Sequence, residues 1–334
     1  MSLLSSLHTW LFNSPPPSNT SSIQANLAST PCRFPLDNST SSTHTLPDGR
    51  KIGYAQYGSP TGKPILYNHG FPGSRLEAAQ FDDLGRELGL RIIAIDRPGI
   101  GWSSPHPGAK LLDWPKDVEH LAESLNLEKY AVMGASGGGP ATLACAFALP
   151  SHKLSAAALV CSMGPPDIGM KGADWAHWIG WPYGIRYAPY WTGRMFWRSS
   201  AIGRLDLPDE KRVEMFIKEG ASAIESERNV LTDVNFARLS CMVTREAFAQ
   251  GYDYVWDDGK MSCRDFGFRV QDIRKDLEVQ LWYGMKDTFV PLVHGLQIAA
   301  RLGEGAELRV EDEAHAGILV HWKREILEGL RRSI

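Results

Sequence analysis

A short apolar run at 130–133 ends in Gly134-Ala135-Ser136-Gly137-Gly138, and a strongly apolar, alanine-rich run follows to Leu149. Gly-x-Ser-x-Gly where a strand hands over to a helix requires a sharp and strained turn. Gly134 and Gly138 are expected there because a β-carbon would collide with the adjoining strand or helix. The strain holds the Ser136 hydroxyl clear of the sheet. It also brings the Gly137 N–H to a helix N-terminus, where a developing oxyanion can be met. Taken alone, the pattern also suits an ordinary glycine-rich connection, so its meaning depends on the rest of the chain.

From Lys51 onward the sequence alternates. Buried strands are expected at 64–68, 90–95, 130–133, 156–161, 279–283 and 307–310, each short and apolar. Helical patterns lie between them, at 76–88 and from Asp113, read as an N-cap with Pro115 in the first turn. Such alternation predicts an α/β fold, with a mostly parallel sheet covered by helices on both faces. Ligands in such folds sit beyond the carboxyl ends of the strands. The alternation stops between Gly164 and Asp276. Over a hundred residues without structure would be anomalous, so 164–276 is expected to be a helical cap on the ligand end of a core formed by 46–163 and 277–334. The front of this insert is crowded with aromatics and holds five of the eleven tryptophans. Trp175, Trp178, Trp181 and Tyr183 are the candidate substrate-binding residues, against the plainer reading that they only pack the cap onto the sheet.

Composition narrows the function. At 334 residues, with 43% hydrophobic and 22% charged residues, the chain can bury a large core. A net charge of −3 gives no electrostatic case for nucleic acid. The five cysteines (Cys32, Cys145, Cys161, Cys241 and Cys263) include no CxxC pair, so neither a disulfide framework nor a zinc site is expected. Residues 1–45 read as a flexible arm, with Pro15-Pro16-Pro17 and a Ser/Thr/Asn-rich tract. Their apolar start lacks a basic flank and is too short to span a membrane, which points to a cytoplasmic protein without a membrane span. A weak helical anchor at the start of the arm is the lesser reading. The triplets at Asn19 and Asn38 are then coincidental glycosylation matches.

Three further motifs follow expected strands. His69-Gly70-Phe71-Pro72-Gly73 can aim the Phe71 N–H at the point faced by the Gly137 N–H; His69 is read as structural. Asp287 follows the 279–283 strand and can orient a histidine. His315 follows the 307–310 strand and suits a general base at neutral pH. The order Ser136, Asp287, His315, with a His-Gly turn upstream, is one of three known serine-hydrolase orders.

On these motifs, from Lys51 to the C-terminus, the chain resembles the α/β-hydrolase superfamily. Asp96-Arg97-Pro98-Gly99-Ile100-Gly101-Trp102-Ser103 resembles that superfamily's Asp-Arg-x-Gly-x-Gly-x-Ser turn and is given a structural role. The elbow and the His-Gly-Phe-Pro-Gly turn look closest to capped, cofactor-free hydrolases of fungal or plant type. Ser136 stands where epoxide hydrolases and haloalkane dehalogenases carry aspartate. Phe71 stands where proline iminopeptidases typically carry glycine, and the His-Gly-Gly-Gly of hormone-sensitive-lipase relatives is absent. The resemblance implies a serine hydrolase, with no cofactor or metal, acting on an ester, thioester or lactone of an apolar small molecule, in keeping with secondary metabolism. The alternatives are an acyltransferase or lactone-forming cyclase using the same three residues, or a small-molecule receptor with residual activity. Oligomeric state stays open.

Overall fold

The computed structural model describes residues 31–334. Residues 1–30, with the apolar start and the Asn19 triplet, lie outside the described residues. Among the described residues eight strands form one sheet: β1 (Ser41–Thr45), β2 (Lys51–Gly58), β3 (Lys63–Asn68), β4 (Leu90–Ile95), β5 (Tyr130–Ala135), β6 (Leu154–Val160), β7 (Glu278–Gly284) and β8 (Ala306–Glu311). Their spatial order is β1-β2-β4-β3-β5-β6-β7-β8. The two pairings of β2, with β1 and with β4, are antiparallel, and every other pairing is parallel.

All six residues of β5 are buried, as a central parallel strand requires. Successive residues of β4 show why: Ile92 and Ala94 pack into one core, Ile93 and Ile95 into the other. One core is closed by Val118 and Leu121 of α2 (Trp114–Ser124) and Leu143 of α3 (Gly139–Ala148). The other is closed by Leu84 of α1 (Asp82–Leu88) and Ile326, Leu327 and Leu330 of α12 (Lys323–Ser333). Asp113 precedes α2, but its carboxylate accepts from Lys110 N instead of capping that helix. The first turns after β3 are 3-10 (Arg75–Phe81) rather than α-helical.

The expectation of a flexible arm through residue 45 is corrected for its last part. Phe34 and Leu36 pack against the core, and Ser41–Thr45 pairs with β2. The Ser/Thr sequence of β1 has no apolar alternation to announce a strand. Its backbone ladder holds it, together with Arg75, whose buried guanidinium donates to Ser41 Oγ, Asn38 Oδ1, Asp96 and Glu246.

Between β6 and β7 the chain forms helices only: α4 (Trp175–Ile179), running on through a π turn (Gly180–Ile185), α5 (Tyr190–Arg198), α6 (Asp209–Gly220), α7 (Glu225–Leu231), α8 (Val234–Ala247) and α9 (Tyr252–Ser262). After β7 come α10 (Val293–Leu302) and, after β8, α11 (His315–His321). Among the described residues, no helix is long and apolar enough to cross a membrane.

Candidate active site

Ser136 directly follows β5 with φ +51°, a left-handed conformation that a side chain rarely adopts. A Cβ on Gly134 would collide with Thr142 Oγ1 and Gly138 O, and one on Gly138 with Asn68 O and His69 O. Both glycines are thus fixed by the tight turn packed between β3 and α3. Gly137 lies against Phe71, whose backbone N stands 3.2 Å from where a Gly137 Cβ would be. The two backbone segments proposed to meet an oxyanion are therefore side by side, at the start of the turn leading into α3.

His315 follows β8, and its Nε2 lies 2.9 Å from Ser136 Oγ. Its Nδ1 lies 2.7 Å from Asp287 Oδ2. Asp287 is buried, and its other oxygen accepts from Phe289 N and Val290 N at 2.8 and 2.9 Å. With both oxygens engaged, the carboxylate is fixed in orientation. Burial lowers the proton affinity of His315. The adjacent Asp287 carboxylate, its hydrogen bond, and the charges of Glu227 and Glu77 outweigh that, and the imidazole is raised above its ordinary value.

The surroundings brace this geometry. His69 is buried and its proton affinity is pushed well down by burial and by Arg97. It is therefore neutral, with Nε2 accepting from Arg97 N at 3.3 Å and Nδ1 2.9 Å from Gly70 O. Arg97 donates to the carbonyls of His69 and Gly70 at 2.6 and 3.1 Å and pairs with Asp258 of α9 at 2.6 Å. The turn at 69–73 is in this way clamped between sheet and insert. Glu77 is partly buried beneath the turn, accepting from Gly70 N at 2.9 Å and Tyr67 Oη at 2.6 Å; desolvation pushes its carboxyl up. Glu227, from α7, accepts from Ala316 N. Sequence reasoning missed Glu77 and Glu227 as site residues, whereas Arg97 lies in the segment given a structural role there. Glu77 lies seven residues beyond Gly70 with no motif marking it, and only folding brings Glu227 near His315.

A cavity of about 310 Å³ opens on Ser136 and His315, and its walls are mostly apolar. Trp181, Phe289, Phe236 and Leu239 contribute, with His177, Glu77 and Glu227 as its titratable rim. Of the four candidate substrate-binding aromatics, Trp181 lines the cavity, with its ring 5.1 Å from that of Phe71. Trp175, Trp178 and Tyr183 do not line it and are exposed instead, because residues four apart on a helix share a face and only the Trp181 side turns inward. Cys161, at the end of β6 with φ +47°, is buried beside the site, and its thiol is pushed well up by burial and by Asp287. Among the described residues, Cys161, Asp287 and His315 are the group whose donor atoms, all within 4.8 Å, could hold a metal ion. His315 Nδ1 and Asp287 are already bonded to each other there.

Residues 63–204 match the family model described as the alpha/beta hydrolase fold. A probable proline iminopeptidase of Leptolyngbya boryana is 36% identical over 98 residues, which is 28% of this chain and 30% of that protein. The chain thus spans about a third of the length of the curated relatives it matches. A carboxylesterase structure from Nitrososphaera gargenis superposes with a TM-score of 0.59 at 17% identity, covering 86% of this chain and 97% of that one. Est816, described as an N-acyl homoserine lactone degrading enzyme, gives 0.59 at 19% identity over 86% and 99%. The sheet order, the matched segment and these superpositions agree that the chain is an α/β-hydrolase-fold protein.

Proposed function

We propose that the protein is a capped, cofactor-free serine hydrolase that cleaves an ester, thioester or lactone of an apolar small molecule through an acyl-enzyme. The hydrogen-bonded chain Asp287–His315–Ser136, opening on an apolar cavity, carries this reading. Ser136 Oγ attacks the substrate carbonyl while His315 Nε2 takes its proton. Nδ1–H donates to Asp287 Oδ2, which stabilises the imidazolium. The Phe71 and Gly137 N–H groups receive the oxyanion, each worth ~3 kcal/mol in the transition state. Collapse expels the alcohol or thiol, which takes the proton from His315. Water, deprotonated by the same imidazole, then releases the acid and restores Ser136. The esterase and lactonase structures above, alike in fold, support ester chemistry. The iminopeptidase similarity makes a prolyl amide the main competing substrate, although Phe71 fills the third position of the oxyanion turn. A place in secondary metabolism is part of the same proposal, resting on the aromatic, apolar cavity wall.

The test is a substrate panel on purified protein: nitrophenyl esters of increasing acyl size, a set of aromatic lactones and a prolyl amide. Ester or lactone turnover lost in Ser136→Ala supports the reading. Prolyl amide cleavage exceeding all esters would replace it with a peptidase.

A further inference from the structure

The helical segment 175–187 is apolar on both of its faces. His177, Trp181 and Ile185, four residues apart, turn inward; the first two line the catalytic cavity, and Ile185 packs against the core. At the complementary spacing Trp175, Trp178, Ile179, Tyr183 and Tyr187 turn outward, and they are 42%, 51%, 46%, 59% and 68% exposed. On α5, Trp191 and Met195, again four apart, are 60% and 64% exposed. Isolated exposed apolar residues are ordinary, but a helix apolar all round is normally covered.

Charge indicates what covers it. Between Asp174 and Asp206 there is no acidic residue, while Arg186, Arg194, Arg198 and Arg204 fall in the same stretch. Arg194 pairs with Asp253 and Arg204 with Asp206. Arg186 and Arg198 lie over the rings of Tyr187 and Tyr252, with guanidinium carbons 5.1 and 5.4 Å from the ring centres. Exposed tryptophan and tyrosine beside Arg186 and Arg198, with the neighbouring carboxylates Asp253 and Asp257 of α9 engaged by Arg194 and Tyr190, suit a helix lying in the headgroup layer of an anionic bilayer.

We propose that the outward face of segment 175–187, with the exposed side of α5, docks on an anionic lipid surface. Trp175, Trp178 and Tyr183 lie at the headgroup level, and Arg186 and Arg198 meet the lipid phosphates. The purpose of docking rests on the proposed function: an apolar substrate partitioned into the bilayer would meet the helix whose other face, at His177 and Trp181, lines the cavity. The binding itself does not depend on catalysis.

The experiment is flotation of the full-length chain with phosphatidylcholine vesicles, with and without phosphatidylglycerol, using wild type and the inactive Ser136→Ala. Both should float with the phosphatidylglycerol vesicles, less so at high salt, and remain behind with pure phosphatidylcholine. Trp178→Gln/Tyr183→Gln/Trp191→Gln should lower the partition coefficient about tenfold while leaving nitrophenyl acetate hydrolysis within about twofold. If that variant misfolds, Arg186→Glu/Arg198→Glu serves instead and should lose the phosphatidylglycerol dependence. Wild type that ignores anionic vesicles, or variants that bind as well as wild type, would overturn the proposal. So would a wild-type dimer in light scattering that the triple variant converts to monomer, because a second copy would then be what covers the face. Vesicle binding by a protein that turns over no ester would remove the proposed function and leave the docking surface standing.

Discussion

Glu227 of α7 accepts the backbone N–H of Ala316 with both carboxylate oxygens, at 3.0 and 3.2 Å, and so ties the insert to the first turn of α11, which presents His315. The carboxylate is buried and lines the cavity, and its charge raises the proton affinity of His315 along with those of Asp287 and Glu77.

A pH dependence follows with a defined sign. In the proposed mechanism His315 must be unprotonated to accept the Ser136 proton, and its affinity is raised, so kcat/KM should climb through a limb above the ordinary histidine value of about 6.5. Glu227→Gln keeps an acceptor for Ala316 N and removes the charge. The limb should move to lower pH, by up to about one unit, while the plateau changes little. An unmoved limb, measured with nitrophenyl acetate, would mean the charge is screened from the imidazole.

Ser136 combines a left-handed backbone with the proposed nucleophile. Ser136→Ala should abolish fluorophosphonate labelling with little change in thermal stability. Ser136→Gly should abolish labelling too but raise stability by about 1 kcal/mol, since glycine adopts φ +51° without strain. Equal melting temperatures for the two variants would show that the strain is relieved elsewhere.

Asp287 and His315 should act as one unit with Ser136. Asp287→Asn and His315→Ala should each cost orders of magnitude in kcat, and the double variant should lose far less than their product. Multiplicative losses in single-turnover rates would separate their roles.

Trp181 is the candidate aromatic that faces the cavity. Trp181→Ala should weaken kcat/KM for bulky acyl esters by ~2–3 kcal/mol and leave acetyl esters nearly unaffected. Uniform losses across acyl sizes would reduce Trp181 to packing for Phe71.

Removal of residues 1–30 should leave turnover of a soluble ester within a few-fold. Removal through residue 45 deletes β1 and the Asn38 and Ser41 acceptors of buried Arg75, and should lower stability by several kcal/mol. Matching thermal melts for the two truncations would show that Arg75 finds other partners.

The central strands, the elbow and the order of Ser136, Asp287 and His315 are set by the sequence alone. Those features are written in local patterns: apolar runs of strand length, glycines where a Cβ has no room, and polar residues just past strand ends. Ser136, Asp287 and His315 are legible because a parallel sheet delivers its strand ends to one edge whatever the intervening chain does. Tertiary structure decided the rest. β1 is polar and takes its conformation from the β2 ladder, so no periodicity marks it. Glu227 and Ala316, 89 residues apart, meet only because α7 folds against α11. Among the aromatics at 175–183, the choice of Trp181 over Trp175, Trp178 and Tyr183 depends on which way the helical segment faces. An amphipathic stripe reveals that, but a segment apolar on both sides does not, because both faces satisfy the same hydrophobic pattern until the sheet beneath picks one.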